Sequence, residues 1–219
     1  SRIARAVEAP TLYFSKPTNS VVYSYFHGIP RSGYDFRFVD HCNVGLIPTN
    51  AGLSLVFVGG PLVEAPVDSE QYLTTALRRV APDLSEAVVE ASRTERFYRA
   101  KAIPNLLREP GGQGWSLVGD AGFTEDPIAA HGMTDALRDA ELCAEAVSTS
   151  LEDPSLEVEA KERYRVVRDG FALLLLDATV PLAKFGWDGP QASRLLRQIG
   201  DVALAECELL AGRPSFVLA

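Results

Sequence analysis

The sequence predicts an α/β chain of the α+β kind: an antiparallel sheet region first, then a helical C-terminus. Three observations predict it. Residues 21–60 are β-branched and aromatic or alternate apolar with polar. From Met133 onward apolar residues recur at spacings of three and four. Between these regimes lies a short apolar run (Trp115, Leu117, Val118) that ends in Gly119-Asp120.

Val21-Val22-Tyr23-Ser24-Tyr25-Phe26 reads as the first strand, and Tyr34-Asp35-Phe36-Arg37-Phe38 alternates strictly. Leu53-Ser54-Leu55-Val56-Phe57-Val58 follows a turn at Pro48-Thr49-Asn50-Ala51-Gly52. Strands in such succession form an antiparallel sheet with one apolar and one mixed face, able to pack on a core and to roof a ligand cavity. Two helices come next. Asp68 with Gln71 and Asp83 with Glu86 each precede a helix-forming run, so both acids are expected to cap the amides of a first turn. The alternating run 96–103 predicts a strand that stops at Pro104, and Gly111-Gly112-Gln113-Gly114 predicts the turn before Trp115.

A helix is expected after Gly132, with Met133, Ala136, Leu137, Ala140 and Ala144 forming an apolar stripe. Asp153-Pro154, cap then proline, announces a long helix rich in Glu, Lys and Arg that runs toward Leu176. Gly186 and Gly189-Pro190 break it. The last helix spans about Gln191 to Leu210 and ends at Gly212, before Pro214.

With 219 residues, 47% hydrophobic and 23% charged, the chain can bury a core of one or two domains. Twenty-one Lys and Arg against 29 Asp and Glu leave a net charge of -8, which argues against a nucleic-acid partner and fits a cytoplasmic protein. Cys42, Cys143 and Cys207 lack CxxC spacing, so free thiols are expected rather than disulfides or zinc, and no other metal site is read. The longest apolar run, 171–176, is far shorter than the roughly 20 residues of a membrane span. His27 and His41 have neither metal-ligand spacing nor a nucleophile partner, and no GxSxG supports Ser/His/Asp hydrolysis. No GxGxxG exists either: Leu117 stands where the last glycine of the cluster Gly111, Gly112, Gly114 would be.

Residues 115–141, WSLVGDAGFTEDPIAAHGMTDALRDAE, aim an acid and a helix start at one place. This stretch resembles the second flavin-binding motif of the FAD-dependent oxidoreductases built like aromatic hydroxylases, a group that includes flavin-dependent halogenases. The opening Ser1-Arg2-Ile3-Ala4-Arg5 is similar to the Ser-x-x-Ala-Arg that closes the first nucleotide-binding half in that family. The resemblance implies a substrate-binding sheet region over 1–104, a flavin-motif segment of a Rossmann-like FAD domain over 105–150, and a helical region over 151–219. The GxGxxG half would be missing. The motif run at Trp115 is then expected to be a parallel-type strand of an incomplete sheet, its apolar surface exposed or covered by another copy or by the missing half.

The resemblance also implies a site. Gly119 and Asp120 would meet the ribityl chain, Asp126 and Pro127 would form a rigid edge beneath the ring, and Ala130, His131, Gly132, Met133 and Thr134 would face the flavin at a helix start. His131 is the candidate catalytic acid or base, because imidazole titrates near neutrality. Asp139 is expected to be structural, and Tyr23, Tyr25 and Arg37 are candidates to face substrate. The family usually has glycine where Ala130 stands. The implied cofactors are FAD and, as reductant, NAD(P)H; the implied reaction is monooxygenation of a hydrophobic or aromatic small molecule, this chain alone binding FAD poorly. Halogenation, double-bond reduction and a non-catalytic binding module are the alternatives. Tryptophan halogenases carry WxWxIP, and Asn43-Val44-Gly45-Leu46-Ile47-Pro48 keeps only the Ile-Pro.

Overall fold

The computed structural model describes residues 1–30, 33–39, 41–62, 68–100 and 103–212. The chain divides into two compact units, one of Ser1–Lys16, Ile103–Val180 and Arg194–Ala219, the other of Pro17–Ala102 and Pro181–Ser193. In chain order the elements are α1 (Arg2–Ala6), β1 (Thr11–Ser15), β2 (Asn19–His27), β3 (Asp35–Val39), β4 (Cys42–Pro48), β5 (Leu53–Pro61), α2 (Ser69–Val80) and α3 (Pro82–Glu90). They continue with β6 (Ser92–Arg93), β7 (Tyr98–Ala100), β8 (Asn105–Arg108), β9 (Gly111–Gly112), β10 (Trp115–Ser116), β11 (Phe123–Thr124), α4 (Gly132–Glu152), α5 (Glu157–Leu182) and α6 (Gly189–Ala211).

The second unit holds the expected antiparallel sheet, in the order β3-β4-β5-β2, with β6 and β7 both pairing the far edge of β2. Val22 and Phe26 of β2, Val44 and Leu46 of β4, and Val56 and Val58 of β5 point to one face, where they pack on Leu73 and Leu77 of α2 and Leu84 and Val88 of α3. Each such side chain contributes about 1.5–3 kcal/mol when fully buried. Ser24 falls on the same face and is satisfied by the Glu95 and Arg96 carbonyls at 3.0 and 3.1 Å. Sequence periodicity passes over β4 because its residues Cys42 to Leu46 are buried on both faces and do not alternate. Gly45 is required there: a Cβ would lie 2.6 Å from the Phe57 ring and from the Asp35 carbonyl.

The caps divide. Asp68 accepts from the amides of Glu70 and Gln71 at 2.9 and 3.0 Å, as expected. Asp83 does not cap α3, which begins one residue earlier at Pro82, whose ring presets the first helical φ. Its carboxylate instead takes Arg37 of β3 at 2.6 and 2.8 Å, so Arg37 faces the helices and not the open side of the sheet. Of the alternating run 96–103 only β7 is a strand; Lys101 and Ala102, like Pro214, lie outside the described residues.

In the first unit β8 pairs β1 on one edge and β11 on the other, all antiparallel. The motif run differs from its expectation. β10 is two residues long and forms a hairpin with β9 through Gly114, whose φ is +75°. Leu117 then leaves the strand: its amide donates to the Pro110 carbonyl (2.7 Å), and its carbonyl accepts from the buried Tyr164 hydroxyl (2.6 Å). With both backbone groups engaged and its side chain 2% exposed, Leu117 forms no parallel-type strand with an open apolar edge.

The helices run close to expectation in length. Asp153 caps a short 3-10 turn before α5, which extends past Leu176 to Leu182. α6 starts at Gly189 because Asp188 and Gln191 form a reciprocal capping box, 2.8 and 2.9 Å. The apolar stripe of α4, however, is on the outside. Met133 and Leu137 are 85% and 72% exposed, while Asp135, Arg138, Asp139, Leu142 and Ala146 form the buried face. Cys42 is buried, Cys143 half-buried and Cys207 exposed, and all three are free thiols. Among the described residues no helix is long and apolar enough to cross a membrane.

Candidate functional site

Gly119, Asp120 and Ala121 form a 3-10 turn held against α4. Gly119 has φ +51°, and a Cβ there would stand 3.0 Å from the Ala136 Cβ, so conformation and packing both demand glycine. Burial pushes the carboxyl of Asp139 on α4 up, while Arg138, Arg168 and the Gly119 backbone pull it down. Asp120 is exposed, and its backbone carbonyl accepts from the Thr124 hydroxyl at 3.1 Å. The Arg108 guanidinium donates to the Ala121 carbonyl at 2.9 Å and fixes the turn from β8.

The stretch 125–131 wraps the start of α4. Asp126 is 1% exposed and caps a second 3-10 turn, Pro127–Ala129, through the Ile128 amide at 3.0 Å, while its own amide donates to Asn105 at 2.8 Å. Pro127 is exposed at the rim of this turn. Ala130 has φ +53°, the left-handed conformation that glycine adopts without cost and alanine adopts with strain. His131 stands at the N-cap of α4 without a side-chain capping bond, leaving the amides of Gly132, Met133 and Thr134 uncapped by any side chain. Gly132 and Met133 are exposed, and a Cβ on Gly132 would touch nothing within 4 Å. The structure thus brings an exposed acid turn and an uncapped helix start onto the two ends of one loop. It directs Asp126 and the His131 ring inward.

Behind the loop lies a buried charge network that the periodic sequence reading misses. Arg138, 0% exposed, donates to Asp135 at 2.7 Å, to Asp139 at 2.9 Å and to Glu206 of α6. The other oxygen of Glu206 bonds Nε2 of His131. His131, Asp135 and Glu206 lie close enough to hold a metal, their ligand atoms within 4.8 Å of one another, but Arg138 already bonds both carboxylates. Burial pushes Asp135 up to about 6 against the pull of Arg138 and His131. Burial, with the Asp135 charge, pushes Glu125 up to about 8; its one bonded oxygen accepts from Thr179 at 3.2 Å. For His131 burial disfavours the cation, but the bond to Glu206 and the charges of Asp135, Glu206 and Glu125 outweigh it and raise its value. For Glu206 burial works upward, yet His131 and Arg138 hold the carboxyl below its ordinary value. The available signals were Asp135, Arg138 and Asp139 on one helical face, and Glu206 on the stripe of Ile199 and Val202.

In the other unit, the sheet face turned away from α2 and α3 is aromatic. Tyr23 stacks on Tyr98 at 5.3 Å, Tyr25 meets both edge-on, and Phe36 lies 5.6 Å from Phe57. Tyr23 and Tyr25 share this face; Arg37 does not.

No protein-family model matches the chain, and no curated protein matches it. Solved structures do. The flavin-dependent brominase Bmp2 is 16% identical over 97% of this chain with a TM-score of 0.71. PqsL of Pseudomonas aeruginosa, a probable FAD-dependent monooxygenase, is 19% identical over 91% with a TM-score of 0.70. HpxO of Klebsiella pneumoniae, solved with FAD and uric acid, is 17% identical over 92% with a TM-score of 0.63. This chain spans 61%, 56% and 55% of those proteins' respective lengths. With its antiparallel sheet, its Gly-Asp turn at the start of α4 and its helical C-terminus, the chain has the fold of the flavin-dependent halogenases and FAD-dependent monooxygenases over that share of their length.

Proposed function

We propose that the chain is the substrate-binding and C-terminal portion of an FAD-dependent oxidoreductase, a NAD(P)H-dependent monooxygenase acting on a hydrophobic or aromatic small molecule. The observation that carries this reading is the exposed Asp120 turn beside the uncapped start of α4, on either end of a loop rigid enough to hold a planar ring. The residues fit FAD. Gly119 lets the chain turn tightly, and the Asp120 carboxylate can accept from ribityl hydroxyls through charge-assisted bonds. Pro127 would offer a rigid apolar edge, and Ala130 turns the loop through its left-handed conformation. The first-turn amides of Gly132, Met133 and Thr134, at the positive end of α4, would donate to the electron-rich N1 and C2-carbonyl edge of the ring. Asp126 holds the loop's shape from within. When bound, the flavin supplies the redox chemistry.

The substrate class is inferred from the aromatic sheet face, where Tyr23, Tyr25, Tyr98, Phe36 and Phe57 would stack an aromatic or polycyclic molecule. NAD(P)H as the reductant rests on fold analogy. Halogenation is the second reading, supported by the fold shared with Bmp2 and disfavoured by the absence of both tryptophans from β4. Product analysis with and without bromide separates the two.

Asp120→Ala in the full-length protein tests the cofactor site. Losing a charge-assisted hydrogen bond costs about 1.5–3 kcal/mol, so FAD should bind roughly ten- to a hundred-fold more weakly in a fluorescence titration. Unchanged affinity would remove Asp120 from the site.

A further inference from the structure

Glu206 is fully buried on the stripe of α6 that also carries Ile199 and Val202, a place where an aliphatic residue would be expected. A buried carboxylate is costly unless its charge is answered. Arg138 does not by itself answer it, because the same guanidinium already holds Asp135 and Asp139. Arg168 also acts on Asp139, but it is paired with Asp169, and the second oxygen of Glu206 still needs a positive partner. His131, bonded to the free oxygen of Glu206, is the group placed to supply it.

We propose that Glu206 is a positioning residue for the cofactor site: from α6 it holds the His131 ring inward and protonated, so that a fixed positive charge stands directly behind the first-turn amides of α4. This rests on the assignment of that helix start to the flavin. The imidazolium adds to the positive end of the helix dipole, and both favour the negatively charged reduced ring over the neutral oxidised one. The groups that face His131 are Glu206 from α6, Asp135 and Arg138 from α4, and Glu125 from the loop. Asp139 and Arg168 lie one step further, paired with Arg138 and Asp169 respectively. With all of these in place the histidine stays charged above its ordinary range; without Glu206 burial is opposed only by the more distant charges, and the proton should leave earlier.

The 219-residue chain has three histidines, so the imidazole nitrogen resonances of His131, assigned by their loss in His131→Gln, can be followed across a pH titration. Glu206→Gln should lower the proton affinity of His131 by at least tenfold, and Glu206→Asp should restore most of it. In the FAD-loaded protein at pH 7.5, Glu206→Gln should weaken the preference for reduced over oxidised flavin about tenfold, or about 30 mV for a two-electron couple. His131→Gln, which leaves the Glu206 carboxylate in place without its imidazole partner, should give at least that drop, and the double variant should fall no further than the single variants, which separates action through His131 from a general loss of packing. An unmoved His131 titration in Glu206→Gln, or additive drops in the double variant, overturns the proposal while leaving the flavin site standing. A wild-type protein that binds no FAD overturns the cofactor reading and this proposal with it, and the histidine titration then reports only on the network.

Discussion

At the scale of single residues the buried acids determine how stability depends on pH. The folded value of Glu125, about 8, lies above its ordinary 4.5, so the folded chain keeps a proton that the unfolded chain releases. Its contribution is therefore fully present in acid and is lost as pH rises toward 8, by about 1.4 kcal/mol per pH unit across that window. His131 acts in the same direction, its raised value giving stability that is present below about 6.5 and lost as pH rises through the folded value. Glu206 acts oppositely, its lowered value removing stability only as pH falls through it in acid. Thermal unfolding between pH 5 and 9 should therefore show Tm falling as pH rises from 5 to about 8. Glu125→Gln, which can keep the bond to Thr179 and cannot ionise, should flatten most of that fall. Parallel curves for the two proteins would mean that Glu125 is already ionised at neutral pH.

At the scale of elements, ends are set by local chemistry and faces by partners. α2 starts where Asp68 accepts two amides, so Asp68→Ala should cost about 1 kcal/mol in urea unfolding; a cost near zero would mean that water replaces the cap without loss. α3 starts instead at Pro82 and releases Asp83 to Arg37, an exposed pair worth little by itself but one that links β3 to the helix layer. α4 reverses the usual amphipathic rule. Its charged face is inside because Asp135, Arg138 and Asp139 answer one another and Glu206, while its apolar face is left to solvent in this chain.

At the scale of the whole molecule, that outward stripe is the liability. Met133, Leu137 and Leu151 are each at least 72% exposed along one side of α4. Exposed apolar rows of this kind are commonly covered by another surface. The isolated 219-residue chain should therefore self-associate and bind a hydrophobic dye, both measurable by light scattering and fluorescence, and the pair Leu137→Gln and Leu151→Gln should reduce both. A clean monomer without dye binding would show that the stripe is tolerated as it stands.

Much of this was legible in the residues. β2, β3 and β5 follow from alternation and β-branching, α2 from its cap, the long α5 from Asp153-Pro154, and α6 from apolar spacing closed by Gly212, because hydrogen bonding and side-chain period are local properties. The Gly119-Asp120 turn and the helix start at Gly132 were legible as well, through the resemblance of residues 115–141 to a flavin-binding motif. The tertiary structure alone decided the rest. β4 is buried on both faces and carries no periodic signal; Leu117 is drawn out of a strand by Pro110 and Tyr164; and Arg37 goes to the helix layer because Asp83 waits there. Glu206 comes to His131 and Arg138 from the last helix, and no spacing in the chain foretells that meeting. A charge can be read from one residue, but whether it is buried, and what answers it there, depends on which distant segments pack around it.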